Sequence, residues 1–417
     1  MLVRARLVLP QTAPPVEDGA VLIFQDRVRA VGRYADLRPR ARSVLDLGDV
    51  ALLPGLVNAH CHLDYTNLGG RLAPPKSFPD WIKSILAAKS EWNFSDFAAS
   101  WLAGARQLVE SGTTTVANIE SVPEMLAECR AATPLRVYSF LEMTGVRSAR
   151  DPAVILEETV ARARSIRTGR GQIGLSPHAP YSTSPALLQL TAERVRSEGW
   201  WTTTHVAESQ AEFDMYMYRR GPMYAWLEPQ RAMTDCGVGS PVQHLERCGL
   251  LGPKHLAVHV NYLWDGDAAR LARTGTHVVH CPSSHTYFGH RRFPYEELVA
   301  AGVNVALGTD SLASTKGPRG RRPTLSLFDE LRELLANDAT LSPQDALDLV
   351  TTKGARALGL TGLAGELTDG GWADLIAVPY VGSPDEVADA VVHHSGPVSA
   401  SMIAGEWARS PVHLTTA

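Results

Sequence analysis

The sequence predicts an α/β protein in which a closed (β/α)8 barrel is joined to a small β-sandwich domain. Two observations predict the barrel. Short apolar runs alternate with amphipathic stretches, and eight such strand candidates recur at a spacing of roughly thirty residues. A third observation bears on the alternative, an open doubly wound sheet. No glycine-rich phosphate fingerprint follows a strand candidate, which disfavours that fold.

The two ends of the chain differ from its middle in their predicted secondary structure. Residues 1 to about 50 contain short strand candidates such as LVRARLVL, and strand-like segments return after about residue 362. Neither end is long enough to bury a core alone. We therefore expect 1–54 and 363–417 to pack together as the small β-sandwich domain, beside a barrel formed by 55–362.

The middle of the chain repeats a pattern of strand and then helix. The strand candidates, in order, are LLPGLVNAHCHL, TTTVANIE, LRVYSFLEMTG, QIGLSPHAPY, WTTTHVAES, HLAVHVNYL, HVVHCPSSH and NVALGTDS. Helical periodicity follows most of them, in DFAASWLAGARQLVESG, PAVILEETVARARSI, SPALLQLTAERVRSEG, DGDAARLARTG and PYEELVAAG. The segment SPQDALDLVTTKGARALGL is predicted to close the series as a helix.

Composition limits the classes of partner and compartment. With 417 residues, 20% of them charged and a formal net charge of -4, the chain has no basic excess that would favour nucleic acid or a membrane surface. No apolar run is long enough to span a bilayer, and the N-terminus lacks the pattern of a signal peptide. The 5 cysteines are scattered without CxxC spacing. We therefore expect a protein of the reducing cytoplasm.

The centre of the sequence pattern is the pair His60 and His62, at the end of the first barrel strand. Residues i and i+2 of a strand point to the same side, so both imidazoles converge while Cys61 faces away. Converging neutral imidazoles are suitable ligands for a borderline metal such as zinc. The alternative is a pair of buried histidines whose role is structural.

Further histidines lie at other strand ends, where barrels carry their chemistry. The candidates are His178, His205, His259 and Asp310. Three imidazoles and one carboxylate predict a mononuclear zinc site, although hydrogen bonding to the backbone could explain any one histidine alone. Glu208 follows His205 by three residues. We expect it just past the strand, where the backbone turns and the side chain could hold a proton above the metal; the alternative is a solvated loop carboxylate.

Six motifs together resemble the amidohydrolase superfamily, in particular its mononuclear-zinc deaminases and chlorohydrolases of heterocycles. They are PGLVNAHCHLDY, SPHAPYSTSP, TTHVAESQAEF, VHVNYL, HCPSSHTYFG and GVNVALGTDSLAS. His178 stands at the fourth strand, which offers no candidate for a carboxylated lysine, and this favours the one-metal subtype. The resemblance implies one zinc ion per chain, held by His60, His62, His205 and Asp310. Iron or manganese would fit similar ligands.

The resemblance also implies roles in catalysis. The metal would lower the pKa of its bound water, and Asp310 would accept the proton released. Glu208 would shuttle protons to a ring nitrogen and then to the departing amine. His259 would hydrogen-bond the tetrahedral intermediate or the attacking water, while His178 and Ser314 would contact the substrate. A homodimer is implied by the resemblance alone.

The segment HCPSSHTYFGHRRFPYEEL, with GTDSLAS, resembles the aminodeoxyfutalosine deaminases of menaquinone biosynthesis. These act on an adenine nucleoside that bears a benzoate. Trp81 could stack on the heterocycle or pack within a lid helix. A benzoate needs a cation, for which Arg291, Arg292 and the basic residues of 319–322 are candidates. The loop Thr315–Thr324 departs from the TDSLASN continuation that is common in relatives, which leaves its substrate contacts open.

Three interpretations remain. The first is a zinc aminohydrolase of a 6-aminopurine nucleoside, with 6-amino-6-deoxyfutalosine as the best single candidate. The second keeps the chemistry but changes the substrate to guanine, S-adenosylhomocysteine, methylthioadenosine or a triazine. The third, from another class, is a catalytically silent barrel used as an assembly module.

Overall fold

The computed structural model describes residues 1–146, 150–167, 169–317 and 322–411. The described residues form sixteen strands, here in chain order: β1 (Leu2–Val8), β2 (Val16–Phe24), β3 (Arg27–Arg33), β4 (Val44–Asp46), β5 (Val50–Pro54), β6 (Leu56–Cys61), β7 (Thr113–Glu120), β8 (Arg136–Met143), β9 (Ile173–Pro177), β10 (Thr202–Val206), β11 (His255–His259), β12 (His277–His280), β13 (Val305–Leu307), β14 (Leu375–Pro379), β15 (Ala400–Ile403) and β16 (Glu406–Arg409).

The same residues form sixteen α-helices. They are α1 (Tyr34–Leu37), α2 (Phe78–Ser90), α3 (Phe94–Glu110), α4 (Leu126–Ala131), α5 (Pro152–Ser165), α6 (Pro185–Glu198), α7 (Gln210–Tyr218), α8 (Pro222–Leu227), α9 (Pro241–Arg247), α10 (Asp267–Thr274), α11 (Pro282–Phe288), α12 (Tyr295–Ala300), α13 (Leu327–Asn337), α14 (Pro343–Leu349), α15 (Thr352–Ala357) and α16 (Val387–Val392). None of these helices has the length and apolar character needed to cross a membrane.

Strands β6 to β13 form one parallel sheet in sequential order, and its two edges meet to close the barrel. At the meeting point, Cys61 pairs with Asp310 in a parallel bridge, and the Asp310 amide donates to the His60 carbonyl at 3.1 Å. Each of the eight strands lies where the sequence pattern predicts one. The predicted (β/α)8 barrel is confirmed.

The other eight strands form a separate sheet from both ends of the chain. Its order is β16-β15-β14-β5-β1-β2-β3, with β4 paired to β1. The C-terminal strand β14 lies antiparallel to β5, and β5 runs through Gly55 directly into the first barrel strand. A side chain at Gly55 would collide with Thr114, so this tight junction requires glycine. The two ends of the chain therefore do pack together beside the barrel.

The segment SPQDALDLVTTKGARALGL, which was predicted to form one helix after the eighth barrel strand, is instead divided into α14 and α15. The break falls at Val350 and Thr351. There the Val350 carbonyl accepts a hydrogen bond from the Val57 amide of β6 at 2.8 Å. This contact anchors the segment to the first barrel strand, and helical periodicity in the sequence carries no sign of such a tertiary bond.

A buried ion pair joins the barrel to the small sheet. Arg136 of β8 donates to Asp374 through Nε at 2.7 Å and Nη2 at 3.2 Å, and its guanidinium lies 3.8 Å from the ring centre of Trp372. The Ala404 amide also donates to the same carboxylate, at 2.7 Å. Both charged side chains are more than nine-tenths buried. Arg136 therefore satisfies a carboxylate that water cannot reach.

Replacing Arg136 by methionine should lower the free energy of unfolding by about 3–5 kcal/mol, because Asp374 would stay buried without its partner. Urea denaturation followed by circular dichroism measures this change. Arg170→Met is the control, since the pair of Arg170 with Glu406 also reaches the small sheet but is exposed, and should contribute less than about 1 kcal/mol. Equal losses in the two variants would contradict the interpretation.

Candidate active site

Four imidazoles and one carboxylate meet at the C-terminal end of the barrel. Ligand atoms of His60, His62 and His205 lie within 4.8 Å of one another, and so do those of His60, His259 and Asp310. The His62 and His205 Nε2 atoms are 3.1 Å apart, and the His60 Nε2 lies 3.5 Å from Asp310 Oδ1. Strand β6 ends at Cys61, so His62 is the first residue beyond it. All five side chains are buried.

The donor atoms of this cluster fit a divalent metal ion. His60 Nε2 and His259 Nε2 are buried without a hydrogen-bond partner among the described residues. His205 donates its Nδ1 proton to the His178 carbonyl at 2.8 Å, which turns its other nitrogen toward the cluster. Buried polar atoms that converge without partners are costly unless something binds them. A bound cation would satisfy them.

The protonation states of the cluster also suit a metal. Burial lowers the pKa of His62, His205 and His259 well below the ordinary value, so these rings are neutral. For Asp310, burial acts to raise the pKa, but the His60 imidazole, whose Nε2 lies 3.5 Å from Oδ1, and the other neighbouring imidazoles bring it well below the ordinary value. Neutral imidazoles and a carboxylate are ligands that zinc favours.

Glu208 lies immediately beyond the fifth barrel strand, where the chain turns. Strand β10 ends at Val206, and Ala207 has a φ of 51°, in the left-handed region. The turn places the Glu208 carboxyl in the cavity, with Oε1 3.6 Å from His259 Nε2. Burial, with the charges of Asp310 and Glu212, raises the pKa of Glu208 well above its ordinary value. Burial therefore favours the protonated form of Glu208, beside the histidine and aspartate cluster.

The cluster opens into a cavity of about 500 Å³. Helices α2 and α8 provide apolar residues to its wall. The lining residues are His62, Tyr65, Trp81, Ile82, Ile85, Leu86, Lys89, Glu142, Thr144, Gly145, Val146, His178, Tyr181, Ser182, His205, Glu208, Trp226, Leu227, His259, Asp310 and Ser311. The cavity therefore has a polar end at the cluster and a largely apolar wall beneath the two helices.

Two of the predicted substrate contacts, Trp81 and His178, do line this cavity. Trp81 also donates its indole proton to the Ala313 carbonyl at 3.2 Å, which ties α2 to the loop after the last barrel strand. The His178 ring lies between the cluster and Glu142, with Nε2 3.6 Å from Glu142 Oε1. Burial and the charge of Lys89 lower the pKa of His178 to about 4, so its ring is neutral.

The other predicted contacts lie elsewhere. Ser314 is fully buried behind the cluster, where its hydroxyl donates to Asp310 Oδ2 at 3.1 Å, and Ser311 lines the cavity instead. Arg291 lies 5.0 Å from the ring centre of Tyr262, outside the cavity wall.

Arg292 is also outside the cavity wall, because it is paired with Glu296 and Asp338. Arg322 is exposed and is not among the lining residues. The remaining basic candidates, Arg319 and Arg321, lie outside the described residues.

The structure adds a cation and a carboxylate that the sequence analysis missed. Lys89 of α2 lines the cavity and donates to the Tyr65 hydroxyl at 2.5 Å. Burial acts to lower its pKa, but Tyr65, Glu142 and Asp64 raise it, so the ammonium stays charged. The helical spacing of Trp81, Ile85 and Lys89 (each four residues from the last) was the available signal that these residues share a face.

Comparison with known proteins shows the family to which the chain belongs. The model of the amidohydrolase family matches residues 51–408. The chain belongs to the amidohydrolase family. Among curated relatives of this amidohydrolase, a 5-methylthioadenosine/S-adenosylhomocysteine deaminase of Syntrophobacter fumaroxidans is 32% identical over 386 residues, covering 87% of this chain and 80% of the relative. A 5'-deoxyadenosine deaminase of Methanoregula boonei is 30% identical, with 86% and 79% covered.

Solved structures of other proteins share the fold of this amidohydrolase. An adenosine deaminase from Xanthomonas campestris with bound zinc is 27% identical, with a TM-score of 0.81 and coverage of 97% of this chain and 92% of that one. Helicobacter pylori aminofutalosine deaminase, at 21% identity and a TM-score of 0.82 over 97% and 99% of the chains, shows likeness of fold. The amidohydrolase is thus an enzyme that hydrolyses carbon–nitrogen bonds, rather than a silent assembly module.

Proposed function

We propose that this amidohydrolase is a zinc-dependent deaminase of 6-aminopurine nucleosides, with 6-amino-6-deoxyfutalosine as the leading candidate substrate. One observation carries the proposal. Buried imidazoles and the Asp310 carboxylate converge at one end of the cavity, and the Glu208 carboxyl, whose pKa burial raises, lies 3.6 Å from one of these imidazoles, that of His259. The names of the relatives, which are deaminases of adenosine-like nucleosides, support the substrate class.

Four residues would hold the metal: His60, His62, His205 and Asp310. When bound, the zinc ion would supply a Lewis acid that lowers the pKa of a coordinated water molecule towards neutrality. The choice of zinc over iron or manganese rests on this ligand set and on the zinc bound by the similar adenosine deaminase.

The pKa values of the two carboxyl groups are shifted in opposite directions, and this assigns their roles. Asp310, which is ionised, accepts the proton of the attacking water as its oxygen bonds to the carbon that carries the amino group. Glu208, which is protonated, gives its proton to the adjacent ring nitrogen. Glu208, now ionised, takes the proton of the new hydroxyl group and passes it to the amino group as the carbonyl forms, so that the carbon–nitrogen bond breaks and ammonia leaves. The proton held by Asp310 then returns to Glu208, which restores both carboxyl groups. His259, whose Nε2 has no partner among the described residues, hydrogen-bonds the oxygen that develops on the carbon.

Residues in the remainder of the cavity would bind the rest of the nucleoside. His178 faces the cavity beside the cluster and can contact the purine, and Trp81 and Trp226 provide aromatic surface further out. Among the described residues of the cavity wall, Lys89 is the only Lys or Arg, so it replaces Arg291 and Arg292 as the group that would pair with a benzoate. With this substrate the reaction would belong to menaquinone biosynthesis in the cytoplasm.

A second candidate keeps the ring and changes the sugar substituent. Glu142 and Asp64 act electrostatically on Lys89, so the wall around it has little net positive charge. This favours a neutral 5'-substituent such as that of methylthioadenosine or 5'-deoxyadenosine, in line with the names of the relatives.

Ammonia release by the zinc-loaded enzyme tests the proposal. The panel holds aminodeoxyfutalosine, adenosine, methylthioadenosine, S-adenosylhomocysteine, 5'-deoxyadenosine, guanine and a chlorotriazine. Turnover of aminodeoxyfutalosine at a kcat/KM of about 10⁴ M⁻¹s⁻¹ or more, well above the other nucleosides, is the expected result. Preference for methylthioadenosine or 5'-deoxyadenosine would select the second candidate. Activity on guanine or the triazine alone would overturn the nucleoside assignment.

A Lys89→Met variant should separate the two candidates. Loss of a charge-assisted bond costs about 1.5–3 kcal/mol, so kcat/KM for aminodeoxyfutalosine should fall about 10- to 100-fold. The kcat/KM for methylthioadenosine should change by less than about 3-fold. Lys83→Met is the matched control, because Lys83 lies on the same helix and is half exposed. Equal losses of kcat/KM for both substrates would exclude Lys89 as the residue that binds the carboxylate.

A further inference from the structure

The backbone around Glu208 is held by side chains that the proposed mechanism does not use. Ala207 has a φ of 51°, which costs a residue with a Cβ about 1 kcal/mol or more unless the surroundings hold it. This turn sets the direction in which the Glu208 carboxyl points. Groups that fix the turn therefore also fix the geometry of proton transfer.

The first such group is Glu212 of α7. Ser209 and Glu212 have the spacing of a helix capping box, in which the glutamate side chain ordinarily bonds the amide of the capping serine. Ser209 does cap the helix, accepting from the Glu212 amide at 3.1 Å. The Glu212 carboxyl, however, reaches one residue further and accepts from the Glu208 amide at 2.9 Å. The Glu212 side chain, which in a capping box would bond the Ser209 amide, thus instead holds the peptide unit between Ala207 and Glu208.

The second group holds the other side of Glu208. Asn261, two residues beyond the sixth barrel strand, donates its side-chain amide to the Glu208 carbonyl at 2.9 Å. Its backbone amide donates to the Ala207 carbonyl at 3.0 Å. The Asn261 side-chain oxygen accepts from His285 Nδ1 of α11 at 3.1 Å, which fixes the orientation of the amide. Glu212 and Asn261 are both buried.

We propose that Glu212 and Asn261, with His285 behind Asn261, are positioning residues that clamp both peptide units of Glu208 and so aim its carboxyl at the substrate. The inference rests on the proposed role of Glu208 as the proton carrier. A clamp of this kind acts on proton transfer rather than on substrate or metal binding. Its removal should therefore lower kcat with little effect on KM or on metal content.

The test compares Glu212→Met with Glu212→Gln, which keeps an oxygen acceptor for the Glu208 amide. Misplacement of a catalytic group by about 1 Å costs about 100-fold, so Glu212→Met should lower kcat about 10- to 100-fold with KM changed less than about 3-fold. Glu212→Gln should recover kcat to within about 3-fold of the parent. Asn261→Leu is an independent second variant with the same expected loss. Asp214→Asn, on the same helix, should leave kcat unchanged.

A double mutant decides whether Glu212 acts through Glu208. In Glu208→Gln the acid is absent, so adding Glu212→Met should cost less than about 3-fold more if the clamp works only through that acid. Losses that multiply in the double mutant, or Asn261→Leu with unchanged kcat, would overturn the inference. If Glu208→Gln alone kept full activity, the proposed function of Glu208 would fail instead, so the two failures are distinguishable.

Discussion

A Glu208→Gln variant is expected to lose about 10³-fold or more in kcat while it keeps its metal and its fold. Glutamine has nearly the same shape as protonated glutamate but can deliver no proton to the ring nitrogen or to the departing amine. The buried carboxyl lies 3.6 Å from His259 and has a raised pKa, so its removal deletes the proton donor that the proposed mechanism assigns to the leaving group. Steady-state ammonia release and metal analysis of the same samples measure the result.

The control for this loss is Glu193→Gln, an exposed glutamate on α6, which should leave kcat unchanged. A Glu208→Gln enzyme within about 10-fold of the parent would show that another group carries the proton. A variant that also lost its metal would leave kcat uninformative, and for that reason the metal content is measured on every sample.

A His205→Asn variant is expected to lose metal affinity by more than about 100-fold, since even removal of an outer partner of a ligand costs about 10- to 100-fold. His205 Nε2 lies 3.1 Å from His62 Nε2, and its Nδ1 is already bonded to the His178 carbonyl, so its free nitrogen is available to the cluster alone. Competition with a chromophoric chelator measures the affinity directly, without reference to turnover.

The matched control is His255→Asn. His255 is equally buried but starts strand β11, at the opposite end of the barrel, where its ring contacts Thr202 Oγ1 at 2.8 Å. This variant should lower stability and leave metal affinity unchanged. Similar zinc affinity in His205→Asn and the parent protein would remove His205 from the ligand set.

Most of the barrel architecture could be predicted from the sequence, because strand and helix periodicities alternate along the middle of the chain. Barrel topology then places the strand ends together, so His60 and His205 could be assigned to one site from separate segments of chain. The turn that brings Glu208 inward followed from its position, three residues after His205. These are local signals combined with one general rule of barrels.

The contacts in the outer cavity were harder to predict, because they depend on how loops fold back. Ser314 follows Asp310 by four residues, and a short 3₁₀ turn returns its hydroxyl to that carboxylate, away from the cavity. Arg292 is engaged by Glu296 one helical turn later, a spacing that the sequence does show. Lys89 shares a helix face with Trp81, yet its burial depends on neighbours supplied by distant segments.

Closure of the barrel also has a consequence for folding. Asn58 and Thr309 are joined by a 2.8 Å hydrogen bond across 251 positions of sequence, at the seam where the first and last strands meet. Contacts between such distant segments form slowly, because a long loop must first be closed. His60 and Asp310 flank this seam, so in a growing chain the proposed metal site would not be complete until the eighth strand has been added. Metal binding at the proposed site would therefore require a closed barrel, and excess metal should favour the closed molecule by mass action.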